Sequence, residues 1–242
     1  MDEALVRCEA LVVGWGGRGL LPPIDVELCR GSFVVVVGRN GSGKSTWFKT
    51  LLGLIPPVSG HVRHAKAGLR LAYVPQTSGI DDLLPLRAFD VVMQGRLAHW
   101  SFLRPFASRP DRRACEQALQ DAEAQDLARR RFRDLSRGQR QRVLFARMLA
   151  TEADLALLDE PTAAMDVLAE QAAVERLVRL SRQRNMAIVV ASHALDVTTE
   201  HADRLLLVDA GAQTVLFDVP ERVRAHESYQ RYLERKEPRR AE

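Results

Sequence analysis

Lysine is nearly absent from this 242-residue chain: it occurs at Lys44, Lys49, Lys66 and Lys236, and the other basic residues are arginines. The bias is compositional, yet it makes a lysine at a motif position stand out. Cysteine is scarce too, with Cys8, Cys29 and Cys115 scattered and no CxxC pair. That argues against a disulfide framework or a zinc site and fits a reducing compartment. No apolar run approaches the ~20 residues that span a bilayer. The start, MDEALVRCEA, carries acids where a secretory signal has a basic region and an apolar core. A cytoplasmic chain is expected, able to dock on a membrane protein. Internal repeats and low-complexity linkers are also missing. The formal net charge of +4 is mildly basic, short of the skew of a dedicated nucleic-acid binder.

What is present is globular: 46% of the residues are hydrophobic, enough for a core. GSFVVVVG (31–38), ADLALLDEP (153–161) and MAIVVASH (186–193) read as buried strands. RLLLVDAGAQTVLF (204–217) reads as a strand, a Gly-containing turn and a second strand. Helical patterns cover 44–54, 139–150 and 165–184. Strands alternating with helices imply an α/β domain with a mostly parallel central sheet. Residues 77–150 break the alternation and read as a helical insert, with Pro105 and Pro110 in RPFASRP marking a loop inside it. The expected division is a core of 1–76 and 151–219, an insert of 77–150, and a charged helix fraying into a tail over 220–242.

The sharpest signal is GRNGSGKST (38–46), which fits G-x-x-x-x-G-K-[ST] between an expected strand and an expected helix. Gly38, Asn40, Gly41, Ser42 and Gly43 let the backbone wrap phosphate oxygens, and the helix start adds a positive dipole end. Lys44 reaches the β and γ phosphates, Ser45 offers its hydroxyl to Mg²⁺, and Thr46 closes the motif as a further nucleotide-binding residue. A Gly/Ser turn would explain the glycines but not Lys-Ser at this offset. In LALLDEP a buried strand ends in two acids. Asp159 is placed as a magnesium acid, and Glu160 as the group that polarises a water. A metal acid followed by a base points to hydrolysis. Alone, the pair would read as solvated acids at a strand end.

About ninety residues beyond the phosphate loop lies LSRGQRQR (135–142). Ser136 can cap a helix starting near Gly138, whose amide and dipole then make a second anion site. One nucleotide does not need two helix ends from one chain, unless a second copy supplies the other. A capped surface helix is the plainer alternative.

These residues strongly resemble the ABC-type ATPases, the nucleotide-binding subunits of ABC transporters, over nearly the whole chain. LSRGQ matches the signature LSGGQ, with Arg137 in place of its first glycine. YVPQ puts Gln76 at the Q-loop glutamine, which senses Mg²⁺ and the attacking water. ASH puts His193 at the switch histidine that contacts the γ-phosphate. TAAMD matches the D-loop, Ser-Ala-Leu-Asp having become Ala-Ala-Met-Asp with Asp166 kept, and GWGG puts Trp15 at the aromatic that stacks on adenine. The resemblance implies a P-loop NTPase core, an N-terminal antiparallel β portion and an inserted helical subdomain. It implies ATP and Mg²⁺ as ligands, with catalysis by Glu160, His193 and Gln76, and metal contacts from Ser45, Gln76 and Asp159. It also implies a head-to-tail dimer in which Ser136, Gly138 and Gln139 close the partner's site.

With one nucleotide domain and no coiled-coil insertion, the chain fits a detached transporter subunit. The expected partners are transmembrane permease subunits and a substrate-binding protein, and the expected place is the cytoplasmic face of the cell membrane. VMQGR followed by a basic RP loop resembles importers of zinc, manganese or chelated iron. Residues 89–95 and the loop after Gln76 are the expected permease surface. The alternative is a soluble ABC-type ATPase acting on nucleic acid or ribosomes. The arginine cluster of 129–147 invites it, but only Phe132 and Phe145 interleave, both at apolar positions, so no nucleic acid is expected.

Overall fold

The computed structural model describes residues 3–76, 85–99, 107–163, 165–192 and 195–236. The chain opens with strands β1 (Ala4–Val12), β2 (Gly14–Trp15), β3 (Arg18–Gly19), β4 (Ile24–Cys29) and β5 (Phe33–Val37), then helix α1 (Lys44–Leu51). Strands β6 (Ser59–His64) and β7 (Leu71–Val74) precede helices α2 (Ala88–Met93), α3 (Arg109–Asp121) and α4 (Arg137–Ala150). The remainder is β8 (Leu155–Asp159), α5 (Val167–Arg184), β9 (Ala187–Ser192), α6 (Leu195–Glu200), β10 (Arg204–Asp209), β11 (Thr214–Asp218), α7 (Pro220–Ala225) and α8 (Glu227–Lys236).

A six-stranded sheet runs β11-β10-β5-β9-β8-β7, with every neighbouring pair parallel except β10 and β11. A three-stranded antiparallel sheet, β4-β1-β6, covers one face. All residues of β5, β8 and β9 are buried, as expected of strands covered on both faces. Phe33, Val35 and Val37 enter a core shared with α2 to α5, while Val34 and Val36 enter the core beneath the antiparallel sheet with Trp47 and Phe48 of α1. The N-terminal antiparallel portion and the mostly parallel central sheet are both as expected.

The described part of 77–150 is helical and shares its core with the sheet. Arg96, buried, donates to Asp111 (3.0 Å) and the Ala150 carbonyl (3.0 Å) and pairs with Glu152 (3.0 Å), tying α3 to the end of α4 and the turn before β8. Two features, at Pro110 and in the C-terminal segment, differ from expectation. Pro110 lies in the first turn of α3, not in a loop, because Ser108 caps that helix and Asp111 completes a capping box; Pro105 lies outside the described residues. Helix α4, as expected, starts near Gly138, at Arg137, with Ser136 as its cap. The C-terminal segment is two docked helices, with Val223, Tyr229 and Tyr232 buried in the larger core.

Candidate active site

Ligands in open parallel sheets bind beyond the carboxyl ends of the strands. Here β5 leads into the glycine loop, β8 into Asp159 and Glu160, and β7 into Gln76. His193, just past β9, and Thr77 lie outside the described residues.

The loop is shaped by its glycines. Gly41 has φ 78° and Gly43 has φ 98°, a region that side-chain-bearing residues avoid, and Gly43 sits at the start of α1. No side chain caps α1 and no acid stands in its first turn, so its leading N–H groups are open to an anion. Lys44 is buried and curls back over the loop, donating to the carbonyls of Gly38 (2.8 Å) and Arg39 (3.0 Å). Its ammonium is held below its ordinary value by burial, which the charges of Glu160 and Asp159 partly oppose.

Asp159 closes β8 and is buried; Tyr73 donates its hydroxyl to Oδ2 at 3.3 Å. Burial, with Asp159 adding, pushes the Tyr73 phenol up to about 12, so it stays a donor. Glu160 has φ 49°, a left-handed conformation costing about 1–3 kcal/mol for such a residue. Successive strand residues point to opposite faces. The left-handed turn breaks that alternation as the chain leaves β8. The Glu160 N–H donates to the Ala191 carbonyl (2.9 Å), and its Oε2 accepts from Gln76 Nε2 at 2.6 Å. Its Oε1 lies 3.9 Å from Lys44 Nζ.

Lys44, Gln76 and Glu160 meet in a cavity of about 420 Å³ lined by Trp15, Leu20, residues 40–46, Gln76 and Glu160; Gly38 and Asp159 are not among its lining residues. Trp15 stands at its rim on the β2-β3 hairpin, 56% exposed, and is not a core residue. The residues fit ATP on their own terms. Among the described residues Ser42 Oγ is buried with no hydrogen-bond partner, the α1 terminus lacks a side-chain cap, and the nearest ion-pair partner of Lys44 is Glu160 at 3.9 Å. Such groups suit a polyphosphate, and the acids beside them suit a divalent cation. Leu20 and Tyr73 were not evident from the sequence as site residues. Tyr73 was within reach of it, lying three positions before Gln76 in YVPQ.

Ser136, Gly138 and Gln139 do not line this cavity. Ser136 Oγ accepts from the Gln139 N–H (3.3 Å), and Gln139 Oε1 accepts from the Ser136 N–H (3.1 Å). Arg140 braces the preceding turn through the carbonyls of Leu135 (3.2 Å) and Arg133 (2.6 Å), with its guanidinium 5.4 Å from the Phe132 ring centre. Ser136 is exposed, and a side chain built at Gly138 would meet nothing within 4 Å. This helix end faces outward with no acid in its first turn.

Sheet order, glycine loop and paired acids define a P-loop nucleotide hydrolase. The chain belongs to the ABC transporter family, whose model matches residues 21–163, and is an ATP-binding subunit of that class, for which ATP hydrolysis is the shared activity. It is 35% identical over 226 residues to the zinc import ATP-binding protein ZnuC of Ruegeria pomeroyi, covering 91% of this chain and 83% of the relative. It is 39% identical over 207 residues to the chelated iron transport system membrane protein YfeB of Yersinia pestis, covering 83% of this chain and 68% of the relative. Among solved structures it is similar to a metal-chelate type ABC transporter in an inward-facing conformation. There the TM-score is 0.86 and the identity 28%, over 96% of this chain and 90% of the other. Among the described residues no helix is long and apolar enough to cross a membrane.

Proposed function

We propose that this chain hydrolyses ATP to energise a separate membrane permease that imports zinc, manganese or an iron chelate, working as a head-to-tail dimer on the cytoplasmic membrane face beside a substrate-binding protein. The observation that carries the reading is the convergence of Lys44, Gln76 and Glu160 on one cavity, within 3.9 Å and 2.6 Å of each other through Glu160. The relatives' names support the metal cargo.

The loop amides of 40–46 and Lys44 bind and orient the triphosphate, and Trp15 offers its exposed indole to the adenine. Glu160 takes a proton from the attacking water, and Gln76 holds its carboxylate in place. Mg²⁺, when bound, offsets phosphate charge; Ser45, Asp159 and Gln76 are the groups that would hold it. By the resemblance of ASH to the switch motif, His193 would contact the terminal phosphate. Ser136, Gly138 and Gln139 serve the site of the second copy. A cavity of about 580 Å³ between α2 and α3, with Phe89, Met93 and Leu119 among charged Arg112, Glu116 and Arg129, supports permease docking on the insert. Of the expected surface, the loop 77–84 lies outside the described residues.

Cells whose sole copy is Glu160→Gln test the proposal, with uptake of radioactive zinc, manganese and iron as the readout. Uptake of one of these is expected to fall to the level of a deletion. Unchanged uptake of all three would refute the cargo. ATPase activity stimulated by nucleic acid instead would favour the soluble alternative.

A further inference from the structure

We propose that Tyr73 is a positioning residue for Asp159, its phenol fixing the carboxylate in the orientation that serves the metal of the nucleotide site. The inference rests on the reading of Asp159 as the metal acid. Strands β7 and β8 run parallel with Tyr73 opposite Leu157, so the Tyr73 side chain reaches forward past its own partner to the strand end. There its hydroxyl donates to Asp159 Oδ2 at 3.3 Å, and among the described residues no other side chain donates to that carboxylate. One oxygen is thereby engaged and the other is left for a cation.

The donor is rigidly mounted. The Tyr73 ring meets Phe48 edge-on, with centroids 6.5 Å apart and planes at 82°. Phe48 is fully buried on α1, the helix that also carries Lys44 and Ser45. The phenol is thus wedged between the phosphate-loop helix and the acid-bearing strand, and relays the position of one to the other. A tyrosine has only two side-chain torsions, and here packing restrains the ring that carries the donor. A carboxylate with one oxygen fixed loses rotation about its terminal torsion. Donors behind a metal-binding carboxylate typically account for 10–100-fold in metal affinity.

The same strand serves both acids by different means. Tyr73 lies within β7, which ends at Val74, whereas Gln76, the partner of Glu160, lies beyond that end. The metal acid is therefore held from inside the sheet and the water-activating acid from the loop. A shift of that loop would release Glu160 without disturbing Asp159.

Tyr73→Phe removes the hydroxyl and keeps the ring against Phe48. Manganese affinity of the full chain with a non-hydrolysable ATP analogue, followed by electron paramagnetic resonance, is the direct readout, with Asp159→Asn alongside. Tyr73→Phe is expected to weaken manganese binding about tenfold. Nucleotide affinity in EDTA and the melting temperature should stay unchanged, and kcat should return at saturating magnesium. Wild-type manganese affinity in Tyr73→Phe, with Asp159→Asn weakened, would overturn the inference and leave the metal acid standing. Loss of metal-free nucleotide binding in Tyr73→Phe would overturn it in favour of a packing role. Unchanged manganese affinity in Asp159→Asn would remove the metal-acid reading itself, and this inference with it.

Discussion

Lys44 sits where its own charge is disfavoured. Removing an ammonium from water costs several kcal/mol, and two backbone carbonyls with a carboxylate 3.9 Å away repay only part of that. Glu160 adds a left-handed backbone and a hydrogen bond to Gln76. Strain and desolvation concentrated in a few residues mark a site shaped for a ligand. The two residues should separate binding from chemistry. Lys44→Ala is expected to weaken ATP binding by tenfold or more, measured by equilibrium titration. Glu160→Gln should keep ATP affinity and lower hydrolysis about a hundredfold or more. Equal hydrolysis by Glu160→Gln and the wild type would remove Glu160 as the base. The loop and both acids were legible in the sequence because phosphate binding demands fixed residue types at fixed spacing. The exposure of Trp15 was expected only through the family resemblance, since an indole beside glycines is by itself equally at home in a core. The contact from Tyr73 to Asp159 depends on the register of two strands about eighty residues apart, which no local pattern encodes.

Helix α4 presents two readings of one residue. Ser136 caps it, a role worth about 1 kcal/mol, and faces outward at an N-terminus with no acid in the first turn. Ser136→Asp distinguishes capping from phosphate contact, because aspartate caps as well as serine and suits the helix dipole. Thermal stability is expected to stay within about 0.5 kcal/mol. ATPase activity should fall at least tenfold, because an added carboxylate would oppose a phosphate. Full activity in Ser136→Asp would reduce the residue to a cap. The elements also show which signals the sequence held without their being read. Ser108, Pro110 and Asp111 spell a helix start in the stretch expected as a loop. In α7 and α8, charged residues surround Val223, Tyr229 and Tyr232, and only the tertiary fold shows that these three are buried.

At the scale of the molecule, β5, β8 and β9 were legible as strands because burial on both faces leaves continuous apolar runs. Their order in the sheet was not, since it rests on crossovers that composition does not record. The molecule keeps its phosphate loop and its signature helix end apart. Trp15, Lys44, Gln76 and Glu160 share one cavity, while Ser136 and Gly138 stand outside it. A chain that hydrolyses ATP alone would have no use for an anion site at the start of α4. Two copies arranged head to tail would each complete the other's. A structure of the Glu160→Gln chain bound to ATP measures this most directly. The account requires two protomers around each nucleotide, with Ser136 Oγ and the Gly138 N–H of one about 3 Å from a terminal phosphate held by Lys44 of the other. A terminal phosphate contacted by its own chain alone, with both α4 ends in solvent, would contradict it.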